Sequence, residues 1–143
     1  MENTGQQATP TARLNGCRAF VVDDNGDNAV SLAMMLRAIG CAAAHTTDPL
    51  SALEAIATYK PHIVFLDIGM PDIDGYQLAH HIRAKHPREK IQLVALTGYA
   101  TASDRARGRV AGFDAYLLKP ASPELVESTL LHLFKGPHDR RSS

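Results

Sequence analysis

Four short apolar runs stand out along the chain, at 19–22, 63–66, 93–96 and 115–118. None alternates polar with apolar residues. Each is apolar on both faces, as strands of a parallel sheet are when helices cover both sides. A weaker run at 41–46 takes a fifth strand position, mostly from its place in the alternation.

The intervening stretches have helical spacing. Gly26 to Ile39 places Val30, Ala33, Met34 and Ile39 on a predicted inner face, and Gly40 supplies the stop. Asp48 followed by Pro49 is an N-cap with proline in the first turn, and Leu50, Leu53 and Ile56 then share a face. Gly75 to Lys85 carries Leu78, Ala79 and Ile82. A fourth helix is expected over 101–111, closed by Gly112. Ser122-Pro123 opens a fifth, with Val126, Leu130 and Leu133 inside. Strand and helix alternate five times, so the predicted class is α/β, a (βα)₅ domain built on a parallel sheet. The polar stretches 1–14 and 136–143 read as flexible tails around a folded unit at 15–135.

Composition narrows the function. Fifteen Lys and Arg balance fifteen Asp and Glu, which argues against a general nucleic-acid binder. With aromatics at 6% and no Trp, a stacking platform for bases is not expected either. Cys17 and Cys41 make neither a disulfide framework nor a zinc site, and are expected to be two free thiols at the edge opposite the chemistry. With no apolar leader and no membrane-length apolar stretch, a cytoplasmic protein without membrane insertion is expected.

The candidate chemistry lies where the strong strands end. The first runs into Asp23-Asp24, the third into Asp67, the fourth into Thr97 and the fifth into Lys119. In an open parallel sheet these ends share one edge, where ligands bind. Three carboxylates brought together repel one another, and a divalent cation relieves that. Mg²⁺ suits one or two carboxylates, waters and a phosphate oxygen. The set fits phosphoryl transfer to a carboxylate, with the ammonium and hydroxyl on the transferred group. Asp67, without an acidic neighbour, is the better nucleophile, and the adjacent Asp23 and Asp24 the better metal ligands.

At this point the chain resembles the response-regulator receiver domain of two-component signalling. Val21-Val22-Asp23-Asp24-Asn25 resembles the acidic motif after the first strand. Leu66-Asp67-Ile68-Gly69-Met70-Pro71-Asp72-Ile73-Asp74-Gly75 resembles the phosphoacceptor segment. Ala95-Leu96-Thr97-Gly98 and Leu118-Lys119-Pro120 resemble the remaining two motifs, in order, over about 16–134. The resemblance implies a flavodoxin-like domain with sheet order 2-1-3-4-5. It implies that Asp67 is phosphorylated by a histidine kinase or histidine phosphotransfer protein. Mg²⁺ would be held by Asp24 and Asp67, by Asp23 through water, and by the Gly69 carbonyl. Thr97 and Lys119 would engage the phosphoryl group, Lys119-Pro120 would be a cis peptide, and Tyr116 would turn inward as Thr97 moves. The output would be a changed helix 4–strand 5–helix 5 surface, read by a downstream protein partner rather than by direct nucleic-acid contact.

Other readings stand beside these. Tyr116 is alternatively a sheet aromatic with a wet hydroxyl. Asp72 and Asp74 read as turn formers, His80, His81 and His86 as a solvated face, and Arg105, Arg107 and Arg109 as a basic helix surface. An alternative function is a Mg²⁺-dependent phosphatase with an aspartyl intermediate, although Gly69 stands where such enzymes commonly carry a second acid. A glycine-rich nucleotide loop after the first strand is missing. The few residues after Phe134 lead to the expectation of a receiver without an output domain, either stand-alone or related to a hybrid kinase; Ala121, where many DNA-binding regulators carry Phe, points the same way.

Overall fold

The computed structural model describes residues 10–98 and 102–135. Five strands form one parallel sheet: β1 (Arg18–Val22), β2 (Ala42–Thr46), β3 (Ile63–Asp67), β4 (Gln92–Thr97) and β5 (Ala115–Leu118). Their spatial order is β2-β1-β3-β4-β5. Five helices alternate with them: α1 (Gly26–Ile39), α2 (Ala52–Tyr59), α3 (Gly75–Lys85), α4 (Ala102–Ala111) and α5 (Pro123–Leu133). The (βα)₅ reading and the 2-1-3-4-5 order are therefore the observed architecture.

Residues of each strand alternate between two cores. Val21, Phe65, Val94, Leu96 and Leu117 face one way and pack with residues of α1 and α5. Phe20, Val22, Val64, Leu66, Leu93 and Ala95 face the other way, toward α2, α3 and the end of α4. All five β3 residues are buried, which is why its sequence lacks a polar face.

The caps are local and polar. Asn25 accepts from the Asn28 N–H, Asp74 from the Tyr76 N–H, and Ser122 from the Leu125 N–H, each satisfying an orphan donor at a helix start. Gly75 has a tertiary reason as well: a Cβ there would come within 2.6 Å of the Ile68 Cα. That close approach lets α3 begin directly against the loop after Asp67.

Three expectations need correction. The buried face of α1 is Ala29, Leu32, Ala33 and Leu36, while Val30 and Met34 are exposed. This helix has apolar residues around most of its circumference, so spacing alone leaves its rotation open. Leu50 is 80% exposed because Pro49–Ser51 forms a 3₁₀ turn ahead of α2, which breaks the helical phase. A flexible tail is expected over 1–14, yet Pro10–Arg13 forms a helical turn and Leu14 is fully buried in the core shared by α1 and α5. The remainder of that tail, 1–9, and the second tail, 136–143, lie outside the described residues.

Cys17 and Cys41 are buried and not disulfide-bonded, and the Cys41 thiol donates to the Cys17 carbonyl at 3.3 Å. Among the described residues no helix is long and apolar enough to cross a membrane.

Candidate functional site

The strand register builds the site. Val22 pairs with Leu66, so Asp23 leaves β1 beside Asp67, the last residue of β3. Asp67 pairs with Leu96, which sets Thr97 one step further along β4. Thr97 pairs with Leu118, and Lys119 follows at once. All lie at the carboxyl edge, where the connection from β1 reverses direction between β2 and β3, the place where open α/β sheets leave a crevice.

Asp23, Asp67 and Thr97 are buried, and Asp24 is exposed. The carboxylates of Asp23, Asp24 and Asp67 can place one oxygen each within 4.8 Å of the others. Among the described residues this is the group of His, Cys, Asp and Glu side chains gathered closely enough to hold an ion. Lys119 Nζ lies 2.9 Å from Asp67 Oδ2 and 3.5 Å from Asp23 Oδ2. Backbone donors hold the other carboxylate oxygens: Asn25 N–H donates to Asp23 Oδ1 at 2.9 Å, and Gly69 N–H to Asp67 Oδ1 at 2.8 Å. The Lys119 N–H donates to the Thr97 carbonyl at 2.8 Å, tying the two strand ends together. Lys119-Pro120 is cis, as the motif implies.

The charges respond to this crowding. Burial raises the Asp23 carboxyl above the ordinary carboxylate range; the Asn25 N–H opposes that, and the Asp67 charge adds to it. For Lys119 burial is the largest influence and pulls downward, but Asp67 and then Asp23 outweigh it and hold the ammonium above its ordinary value. A half-buried cation between two carboxylates thus stays charged. A cleft of about 400 Å³ opens beside the site, lined by Asp23, Asn28, Ser31, Met35, Lys119 and Ala121 among others. Asn28, Ser31 and Met35 are ordinary helix residues that carry no motif in the sequence.

Tyr116 is half-buried and donates its hydroxyl to the Asp104 carbonyl on α4 at 2.6 Å. The wet-hydroxyl alternative does not describe this arrangement. Asp74, read as a turn former, caps α3 and pairs with Arg107 at 3.2 Å. Arg105 lies over the Tyr116 ring and Arg107 over the Tyr76 ring, so two of the three surface arginines cover aromatic faces. His80 and His81 are exposed.

The family described as "Response regulator receiver domain" matches residues 19–130. Protein PilG of Pseudomonas aeruginosa is 34% identical over 110 residues, which cover 77% of this chain and 82% of PilG. The chemotaxis protein CheY4 of Vibrio cholerae has the same fold, with a TM-score of 0.77 at 20% identity, covering 82% of this chain and 98% of that one. A chain from the co-crystal of the Saccharomyces cerevisiae histidine phosphotransfer protein Ypd1 with the receiver domain of Ssk1 also superposes. Its TM-score is 0.75 at 20% identity, covering 84% of this chain and 90% of that one.

Proposed function

Since the chain belongs to the response-regulator receiver family of two-component signalling, we propose that Asp67 is its phosphoacceptor. The supporting observation is the position of Asp67 at the end of β3, with Lys119 Nζ 2.9 Å away and Asp23 and Asp24 within metal-sharing distance.

The donor is the phosphohistidine of a histidine kinase or histidine phosphotransfer protein, the class of protein crystallised with Ssk1. An Asp67 carboxylate oxygen attacks phosphorus, the phosphorus–nitrogen bond breaks, and the imidazole leaves with the electron pair. The Gly69 N–H on Asp67 Oδ1 fixes the carboxylate plane. Lys119 pairs with the added negative charge, and the Thr97 hydroxyl donates to a phosphoryl oxygen.

The donor set suits Mg²⁺, because hard carboxylate oxygens converge from Asp23, Asp24 and Asp67. Asp24 and Asp67 would hold it directly, Asp23 through water, and Gly69 through its carbonyl. When bound, the cation neutralises charge that builds on the phosphoryl oxygens. Among the described residues Lys119 is the cation paired with the buried Asp23 and Asp67, so the site has a place for a second cation before it can take a phosphoryl group.

Thr97 would then move toward the phosphoryl group and Tyr116 would follow. Together they would reshape the surface of α4, β5 and α5 for a downstream protein partner. The domain assists its own phosphorylation and dephosphorylation and otherwise acts as a signalling module. The phosphatase alternative is disfavoured because position 69 offers a backbone N–H rather than a second acid.

Incubation with Mg²⁺ and acetyl phosphate, read by intact mass, tests this reading. A gain of one phosphoryl group is expected. Chelating the metal should slow labelling by about a hundredfold or more, since several kcal/mol of charge stabilisation go with it. Labelling indifferent to chelation would remove the metal from the account.

A further inference from the structure

Glycine is a poor residue for a helix interior, because it loses the most backbone freedom on ordering. Gly108 nevertheless stands within α4, and it is buried. A Cβ built on it would lie 1.7 Å from the Tyr116 hydroxyl and 2.5 Å from Cζ of the same ring. No side-chain-bearing residue fits there while Tyr116 keeps its place. One turn earlier, the Asp104 carbonyl accepts the Tyr116 hydroxyl at 2.6 Å. Tyr76 of α3 reaches that same carbonyl with its own hydroxyl at 3.4 Å. Phe113 closes the arrangement, its ring 6.2 Å from that of Tyr76 and 6.0 Å from that of Tyr116. Arg107 lies over Tyr76 at 4.2 Å and pairs with Asp74, which ties α4 to the start of α3.

We propose that Gly108 and the Asp104 carbonyl form a receptacle that seats the Tyr116 side chain. Gly108 is then a positioning residue: its missing Cβ is the space the phenol occupies. Tyr76 shares the receptacle's acceptor, so α3 takes part in placing Tyr116. Burial, followed by Tyr76, raises the Tyr116 phenol above its ordinary value, so the hydroxyl remains a donor to the carbonyl across the physiological range. The consequence for signalling rests on the reading of Asp67 as phosphoacceptor and Tyr116 as the moving group. With a side chain at 108, Tyr116 loses the seat it holds in this structure, whatever happens at Asp67.

The test uses the full chain labelled with 3-fluorotyrosine, with the Tyr116 signal assigned from Tyr116→Phe. The readout is the ¹⁹F shift between H₂O and D₂O, which reports solvent contact of the ring. In the parent the isotope shift at Tyr116 should be small. In Gly108→Ala it should rise to that of free fluorotyrosine. A Tyr116 signal as shielded in Gly108→Ala as in the parent overturns the receptacle.

A melting experiment keeps the test open should Gly108→Ala fold poorly. Gly108→Ala should raise the melting temperature in a Tyr116→Ala background, where the new methyl meets no ring, and raise it less or lower it in the parent. Equal shifts in both backgrounds contradict the proposal. Adding Mg²⁺ and beryllofluoride separates this inference from the reading it rests on. A parent whose Tyr116 signal ignores the mimic, alongside a Gly108→Ala chain with an exposed ring, supports the receptacle and sinks the phosphorylation-driven movement.

Discussion

Replacing Asp67 with asparagine is expected to abolish phosphoryl uptake while leaving the fold intact. The amide nitrogen has no free electron pair to match a carboxylate oxygen, so the nucleophile is gone rather than weakened. The substitution also removes one of the carboxylates that surround Lys119 Nζ, at 2.9 Å, and one of the groups gathered for the metal. Incorporation from acetyl phosphate should fall to the level of a protein-free control. Stability should not fall with it. Burial is the first cause that raises the Asp23 carboxyl, and the Asp67 charge adds to it, so a neutral side chain at 67 relieves a repulsion in a buried place. A melting temperature at or above that of the parent would accompany the loss of labelling. A large drop would mean that the loss reflected unfolding, and the comparison would then move to Asp67→Glu.

The second large effect lies away from the site. Asp114→Ala is expected to cost about 3 kcal/mol, because it strands a half-buried cation. Arg83, whose side chain is 17% exposed, threads between α3 and the approach to β5. Its guanidinium donates to the Ile91 carbonyl at 2.6 Å, the Gly112 carbonyl at 2.7 Å and Asp114 Oδ2 at 2.9 Å. Burial lowers Arg83 from its ordinary value, and the Asp114 charge works against that. Asp114 also accepts the Leu93 N–H at 2.8 Å and pairs with the more exposed Arg88. Removing the carboxylate therefore leaves the guanidinium short of its counter-charge and a strand N–H without its acceptor. Asp114→Asn keeps an acceptor for both and should lose less. Urea denaturation reads the difference. A cost under about 1 kcal/mol for Asp114→Ala would mean that the pair behaves like a surface ion pair.

Neither Asp114 nor Arg83 was legible in the sequence, and the reason is physical. Neither belongs to a periodic apolar pattern; Arg83 binds mostly backbone carbonyls, and the partners of Asp114, namely Arg83, Arg88 and the Leu93 N–H, lie more than twenty residues away in the sequence. Asp23, Asp67, Thr97 and Lys119 were legible because each ends an apolar run, and parallel strands bring their ends to one edge. The doubly covered strands also announced themselves, since β1, β3 and β4 have no polar face to hide. The rotation of α1 did not follow, because Val30 and Met34 are as apolar as Leu32 and Leu36. Leu50 misled because a 3₁₀ turn shifts the phase by a fraction of a turn. Leu14 was hidden by its polar neighbours, although its burial extends the folded unit toward the start of the chain. Gly108 had no signal of its own; an isolated glycine in a helical stretch acquires meaning only when the ring above it is seen.

The zero net charge conceals an uneven distribution. Negative charge gathers at the carboxyl edge in Asp23, Asp24 and Asp67, and is met by Lys119 alone among the described cations that pair with Asp23 or Asp67. Arg105 and Arg107 lie over the aromatic rings of the neighbouring surface. A phosphoryl group added at Asp67 brings about −1.5 to −2 charges into this setting. That change in charge is large enough to bias a surface with two arrangements.

The most direct measurement locates the phosphoryl group on the parent chain. Borohydride reduces an aspartyl phosphate to homoserine, with phosphate as the leaving group. After labelling with Mg²⁺ and acetyl phosphate, reduction and peptide mass mapping should place homoserine at position 67 and leave Asp23 and Asp24 unchanged. Homoserine at 23 or 24, or an acid-stable phosphate on a hydroxyl side chain, would contradict the assignment of Asp67 as the phosphoacceptor.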